Sequence, residues 1–223
     1  MPPAGLVAVD DDHYYERTED GSPAAPDSDE AEASSSAMPR VLTMLSVVLE
    51  RLVARNDQVC LDLATAETSR LSVFHGVKAP SISISKYLER IYRYTNCSPS
   101  CFVVGYIFID RLVHRNPSSP VVSLNVHRLL VTSIMVATKV LDDVHYNNAF
   151  YARVGGVSNE ELNRLELELL FLLDFSVMVT SRVFESYCLH LEKEMLWYSS
   201  ERKIEKLPPL SLDNGEEAIT EEE

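Results

Sequence analysis

Val41, Leu45, Val48, Leu49 and Leu52 recur at intervals of three and four, the spacing of one face of a helix. Pro39 suits the first turn of that helix, and Asn56-Asp57 reads as its end. Ser81–Tyr94 opens on alternating Ser and Ile and then settles into a helical stripe, Ile84, Tyr87, Leu88 and Ile91. The pattern predicts a helix from about Ser83. Ser98-Pro99 pairs an N-cap with a proline at the first helical position and predicts a helix to about residue 114. Phe102–Ile109 is apolar on nearly all sides, so this helix belongs inside the fold. Ser123–Asp143 predicts the longest helix, and Leu129 through Ala137 again has little polar face. Gly105, Ser133 and Ala137 are small enough to let these two helices approach closely.

A short helix over Asn147–Arg153 meets a stop at Gly155-Gly156. Ser158-x-x-Glu161 is a capping box opening a helix to about residue 173, with Leu162, Leu165, Leu169 and Leu172 as its buried stripe. Thr180-Ser181 opens a last helix with Phe184, Tyr187, Cys188, Leu191 and Met195 on its face. The expectation is an all-α fold of about seven helices, two of them enclosed by the rest.

Charge changes the picture at the ends. The chain of 223 residues has a net charge of −14. Residues 1–38 hold ten acids and one Arg, and residues 201–223 hold eight acids and three bases. The middle is neutral. Segments rich in acids, Ser and Pro and poor in large aliphatics do not bury enough surface to offset their ordering entropy. The domain plan is therefore a disordered acidic tail over 1–38, a folded domain over 39–198 and a second disordered acidic tail over 199–223. The first tail resembles segments of short-lived regulatory proteins, or serves only as a solubilising tail, and Ser22-Pro23 has the form of a proline-directed phosphorylation site.

A neutral core with no Lys/Arg cluster argues against nucleic acid as a partner. The longest apolar run, Cys101–Ile109, is far short of the roughly 20 residues of a membrane span, and no secretory or other targeting signal is readable. Nucleus or cytoplasm is the expected location. Cys60, Cys97, Cys101 and Cys188 are expected as reduced, ordinary thiols, with no metal and no cofactor. Phosphate loops, HExxH helices, calcium loops and nucleophile elbows do not occur. No catalytic residue is expected, and function should lie in a binding surface.

Two ionisable residues stand out. Lys139 closes an apolar helix turn in IMVATKVLDD, and Glu166 lies beside the buried stripe in ELNRLELELLFLL. On pattern alone they read as an intrachain surface ion pair, worth roughly 0–1 kcal/mol.

The order of YIFIDRL, MVATKVLDD and AFYARVGGVSNEELNRLELELLFLLDFSV on successive helices resembles the cyclin box. The resemblance covers about residues 39–195. It is strongest to plant P-type (U-type) cyclins, which are similar to the yeast cyclin of the phosphate-starvation pathway. It implies a single five-helix cyclin box with flanking helices, without the second repeat of mitotic cyclins. It also implies a regulatory subunit that binds and activates a cyclin-dependent serine/threonine kinase in a heterodimer, linked to the cell cycle or to nutrient signalling. In cyclins a Lys ending the third helix and a Glu on the fifth contact kinase backbone beside its C helix. Lys139 and Glu166 match them, and this turns the reading of the pair towards a kinase contact. Val136, Val140, Leu170 and Phe175 would form the apolar centre of that interface, with simple core packing the equal alternative for Leu170 and Val136. Two departures follow. SISISKYLERI lacks the Arg and Trp of the larger cyclins' first helix, so neither the usual substrate-docking patch nor a partner for Asp110 is assigned. Val140 stands where larger cyclins often carry an aromatic. The alternatives are a cyclin-fold transcription adaptor, disfavoured by the absence of a zinc ribbon and a basic face, and a scaffold that binds a kinase without activating it.

Overall fold

A computed structural model describes residues 38–62 and 70–205. Within them the chain forms seven α-helices and one 3-10 turn: α1 (Arg40–Asp62), the turn Arg70–Phe74, α2 (Ile84–Thr95), α3 (Pro99–Arg115), α4 (Val126–Leu141), α5 (Asn148–Gly155), α6 (Asn159–Leu172) and α7 (Ser181–Glu205). The tail readings over 1–37 and 206–223, Ser22-Pro23 included, lie outside the described residues. The all-helical expectation holds among the described ones. The last helix runs to Glu205, past the boundary expected at residue 198.

The two apolar helices form the axis of the bundle. Every side chain from Cys101 to Ile109 in α3 and from Leu129 to Thr138 in α4 is buried. α3 lies against α4, with α1 and α7 packing on α3 and on each other, α2 packing on α1, α5 and α4, and α5 and α6 packing on α4 and on each other. Gly105 makes the central contact possible. A Cβ there would stand 3.1 Å from Ile134 Cγ1 and 3.2 Å from the Ile134 backbone nitrogen. Gly155 does the same for α5, where a Cβ would meet Val131 Cγ2 at 2.7 Å.

Several helix ends follow the sequence signals. Ser83 caps α2 and accepts from Lys86 N, and Ser158 caps α6 and accepts from Glu161 N. Others depart from it. α1 does not end at Asn56-Asp57. Asn56 Nδ2 donates to Val121 O at 2.8 Å, and the Asp57 carboxylate accepts from the Ser123 N–H and hydroxyl. Their side chains are satisfied by a distant segment, so they do not compete with their own helix. α4 starts at Val126 rather than Ser123, and α1, α3 and α7 are longer. Fully buried Asn125 accepts from Val122 N and donates to Pro120 O, which closes a turn before the helix. The buried stripe Leu162, Leu165 and Leu169 of α6 continues to Leu173, its C-cap, rather than to Leu172, which is half-buried. Cys97 and Cys101 are free and buried, and Cys188 is free and half-buried. No described helix is long and apolar enough to cross a membrane.

Tyrosines tie the bundle together. Tyr87 OH donates to Gly155 O at 2.9 Å, Tyr151 OH to Thr138 Oγ1 at 3.0 Å, and Tyr187 OH to Asp110 Oδ2 at 2.5 Å. Burial raises the phenol pKa of all three, with the Asp110 bond adding to it at Tyr187. Tyr106 is pushed up to about 12, by burial and then by Asp110 and Glu194. A raised folded-state pKa means stability held below the ordinary phenol value of about 10 and lost as pH climbs through the folded value. Alkaline titration followed by near-ultraviolet phenolate absorbance should show these four of the ten tyrosines ionising late, in a cooperative step coincident with loss of helical circular dichroism. Simple ionisation of every tyrosine near pH 10 would contradict the packing.

Candidate functional site: a bonded Lys–Glu pair at the end of the central helix

Lys139 sits in the last turn of α4, where a cation complements the helix dipole. The helix is buried through Thr138, so its last turn is where it reaches the surface. Tyr151, from the YARVGG string, holds the Thr138 hydroxyl, which itself donates to Met135 O at 2.8 Å. The string thus pins the residue next to Lys139. The C-cap carboxylate of Asp142 accepts from Ser98 N at 3.3 Å and ties the same helix end to the start of α3.

Glu166 is presented by α6. Leu162, Leu165 and Leu169 bury one stripe of that helix, and Arg128–Glu161 at 2.6 Å fastens its first turn to the start of α4. Lys139 Nζ donates to Glu166 Oε1 at 2.7 Å, and Asn148 Nδ2 donates to Oε2 at 2.7 Å. The side chains of Lys139 and Glu166 are 30% and 16% exposed, so the pair is neither buried nor free in water. One ammonium proton of Lys139 is committed to Glu166, and a carboxylate has about four lone-pair sites, so both groups keep bonding capacity.

The apolar residues expected beside the pair divide. Val136 is 3% exposed and belongs to the core. It corrects the expectation of a surface contact, because α4 is covered on all sides at that level. Val140 is exposed, Leu170 half-buried and Phe175 57% exposed. Leu167 and Phe171 are also exposed, as are Leu141 and Val144 after Lys139. Sequence reasoning passed over them. The signal was apolar residues off the buried stripe of α6, in LELELLFLL.

Phe175 is held outward at a cost. Asp174 and Phe175 both have left-handed backbones, φ 52° and 54°, each costing about 1–3 kcal/mol for a non-glycine residue. Phe175 N donates to Leu170 O at 2.8 Å, and its ring meets Phe171 edge-on at 5.3 Å. Arg111, from YIFIDRL, donates to Ser176 O and Met178 O and braces the connector that follows. Asp110 beside it, left without a partner by the sequence, accepts from Tyr187 and lies 3.3 Å from His114 Nδ1.

A helical bundle that exposes apolar side chains on the same helix ends and connectors that carry a half-buried charge pair has the make-up of a protein-docking module. A family model for the cyclins matches residues 39–177. The chain belongs to the cyclin family, a family of regulatory proteins. Cyclin-U1-1 of Arabidopsis thaliana is 64% identical over 178 residues, covering 80% of this chain and 84% of that protein. Cyclin-U4-1 of Arabidopsis thaliana is 54% identical over 160 residues, 72% of this chain and 78% of that protein. Cyclin-P4-1 of Oryza sativa subsp. japonica is 49% identical over 162 residues, 72% of this chain and 76% of that protein. The fold and the family thus meet the expectation of a plant P/U-type cyclin.

Proposed function

We propose that the chain is the regulatory subunit of a cyclin-dependent serine/threonine kinase, which it binds through the Lys139–Glu166 face and activates, in cell-cycle or nutrient (phosphate) signalling. The observation that supports this most is the half-exposed pair itself, mutually bonded, with Val140 next to Lys139, Leu170 one turn along α6 from Glu166, and Phe175 bonded through its N–H to Leu170 O. Lys139 donates its remaining protons to kinase main-chain carbonyls, and Glu166 accepts from main-chain N–H groups. Because the two charges are already paired and hydrogen-bonded, covering them leaves no isolated buried ion. Charge-assisted bonds contribute about 1.5–3 kcal/mol each.

Activation is a population shift, with the chain binding the active position of the kinase C helix better than the inactive one. Moving such an equilibrium from 1:99 to 99:1 takes about 5.5 kcal/mol of differential affinity. Two charge-assisted bonds and an apolar contact made to one state only reach that size. The test mixes the full chain with purified cyclin-dependent kinases, measures complex formation, and assays histone phosphorylation with and without the chain. Binding with a rise in activity of tenfold or more is the expected result. Binding without a rise makes the chain a scaffold, and absence of binding across the kinases overturns the proposal.

A further inference from the structure

Glu166 is gripped from two sides, and the second grip has no role in the pair as the sequence displays it. Asn148 is the first residue of α5, immediately after the Asn147 N-cap. Its Nδ2 donates to Glu166 Oε2 and to Asn163 Oδ1, both at 2.7 Å. These orientations are forced. An ionised carboxylate only accepts, so the Asn148 amide must turn its NH2 group to Glu166. An NH2 group in turn needs an oxygen from Asn163. Both protons of Asn148 are then spent, while Asn148 Oδ1 and Asn163 Nδ2 face away from the bonds they make. One acceptor and one donor remain beside the ion pair. They border a shallow open depression of about 500 Å³ that Lys139 also lines, along with Tyr146 and Asn159. The loop in front of it is fastened by the Asn147 cap on Phe150 N and by stacking of Tyr146 on Phe150 at 3.9 Å.

We infer that Asn148 is a positioning residue for Glu166, and that Asn148 and Asn163 together form a carboxamide subsite that takes one main-chain peptide group of the partner. A peptide group carries one N–H donor and one C=O acceptor, the complement of Asn148 Oδ1 and Asn163 Nδ2. The subsite lengthens the polar strip begun by Lys139 and Glu166 and reads backbone as they do, so it fixes register without choosing side chains. The inference rests on the kinase reading of the same face.

The experiment measures affinity of full-length variants for whichever purified cyclin-dependent kinase the wild-type chain binds. Asn148→Ala should weaken binding about tenfold, the scale of one lost bond to a charged group. In a Glu166→Gln background the same change should weaken binding less than it does in the wild-type chain, because the contact of Asn148 Oδ1 to the partner is then the larger part of what is lost. Asn148→Asp keeps the shape, removes both donors and sets a second carboxylate against the first. It should bind more weakly than Asn148→Ala at a temperature where circular dichroism shows both variants fully folded, and the gap should narrow in a Glu166→Gln background, where the second carboxylate no longer faces a first. Asn163→Ala should cost about threefold to tenfold by itself. Wild-type affinity in Asn148→Ala and Asn148→Asp, with Glu166→Gln impaired, overturns the subsite and leaves the kinase reading standing. Wild-type affinity in all of them, Glu166→Gln included, overturns both.

Discussion

Glu166→Lys in the full chain is expected to weaken kinase capture at least about a hundredfold, since two charge-assisted contacts of about 1.5–3 kcal/mol each are lost together. Helical circular dichroism should be unchanged. By itself that result is ambiguous, because Lys139 and Glu166 bond to each other at 2.7 Å, and a reversal also sets two cations together in a half-buried place. The exchanged variant, Lys139→Glu with Glu166→Lys, separates the two roles. The intrachain attraction returns, and Asn148 can turn its carboxamide to offer Oδ1 to the new ammonium. Thermal stability should therefore recover to within about 1 kcal/mol of wild type, the scale of a partly exposed ion pair. Kinase capture should stay lost, because a carboxylate now meets main-chain carbonyls and an ammonium meets main-chain N–H groups. Recovery of binding along with stability would show that the pair is only a brace between α4 and α6.

How far such a site is legible in sequence depends on what each residue answers to. The Ser158 cap and the Ser98-Pro99 start are decided locally and appear where the sequence predicts them, whereas the Glu161 carboxylate of the expected capping box bonds to Arg128, 33 residues away in sequence. Asn56 and Asp57 mislead because their hydrogen bonds go to residues 121–123, far along the chain. Asn125 misleads in the opposite direction, closing a turn with its own neighbours where periodicity predicts helix. Val136 could not be placed because an enclosed helix has no polar face against which to tell inside from outside. Lys139 and Glu166 are visible because each is a charge in an apolar string. Asn148 is not, since Asn beside a helix start reads as a cap, and Asn147 already has that task. Arg111 and Tyr187 carry no local sign of what they hold, because their partners lie 65 or more residues away.

The contact that places Lys139 is itself open to a direct test. Gly105→Val should lower stability by about 3 kcal/mol or more, at the upper end of overpacking costs. For a chain of this size that is a fall of about 6–12 °C in Tm. The atoms a Cβ would meet include the Ile134 backbone nitrogen and Cα, at 3.2 and 3.3 Å. Backbone cannot swing aside as a side chain can, so two further methyl carbons are accommodated only by parting α3 from α4. These are the two most buried helices, so the separation opens voids along the axis of the bundle. Gly105→Ala is the control. Its single methyl needs a shift of a few tenths of an ångström, offset by the gain of about 1 kcal/mol in helix propensity, and Tm should move by no more than a few degrees. Because α4 carries Lys139 and α6 carries Glu166, a displaced α4 should also weaken kinase capture in Gly105→Val at temperatures where the chain is still folded. Equal melting of Gly105→Val and wild type would mean that the axis tolerates a wider spacing, and the geometry of the pair would then owe nothing to this glycine.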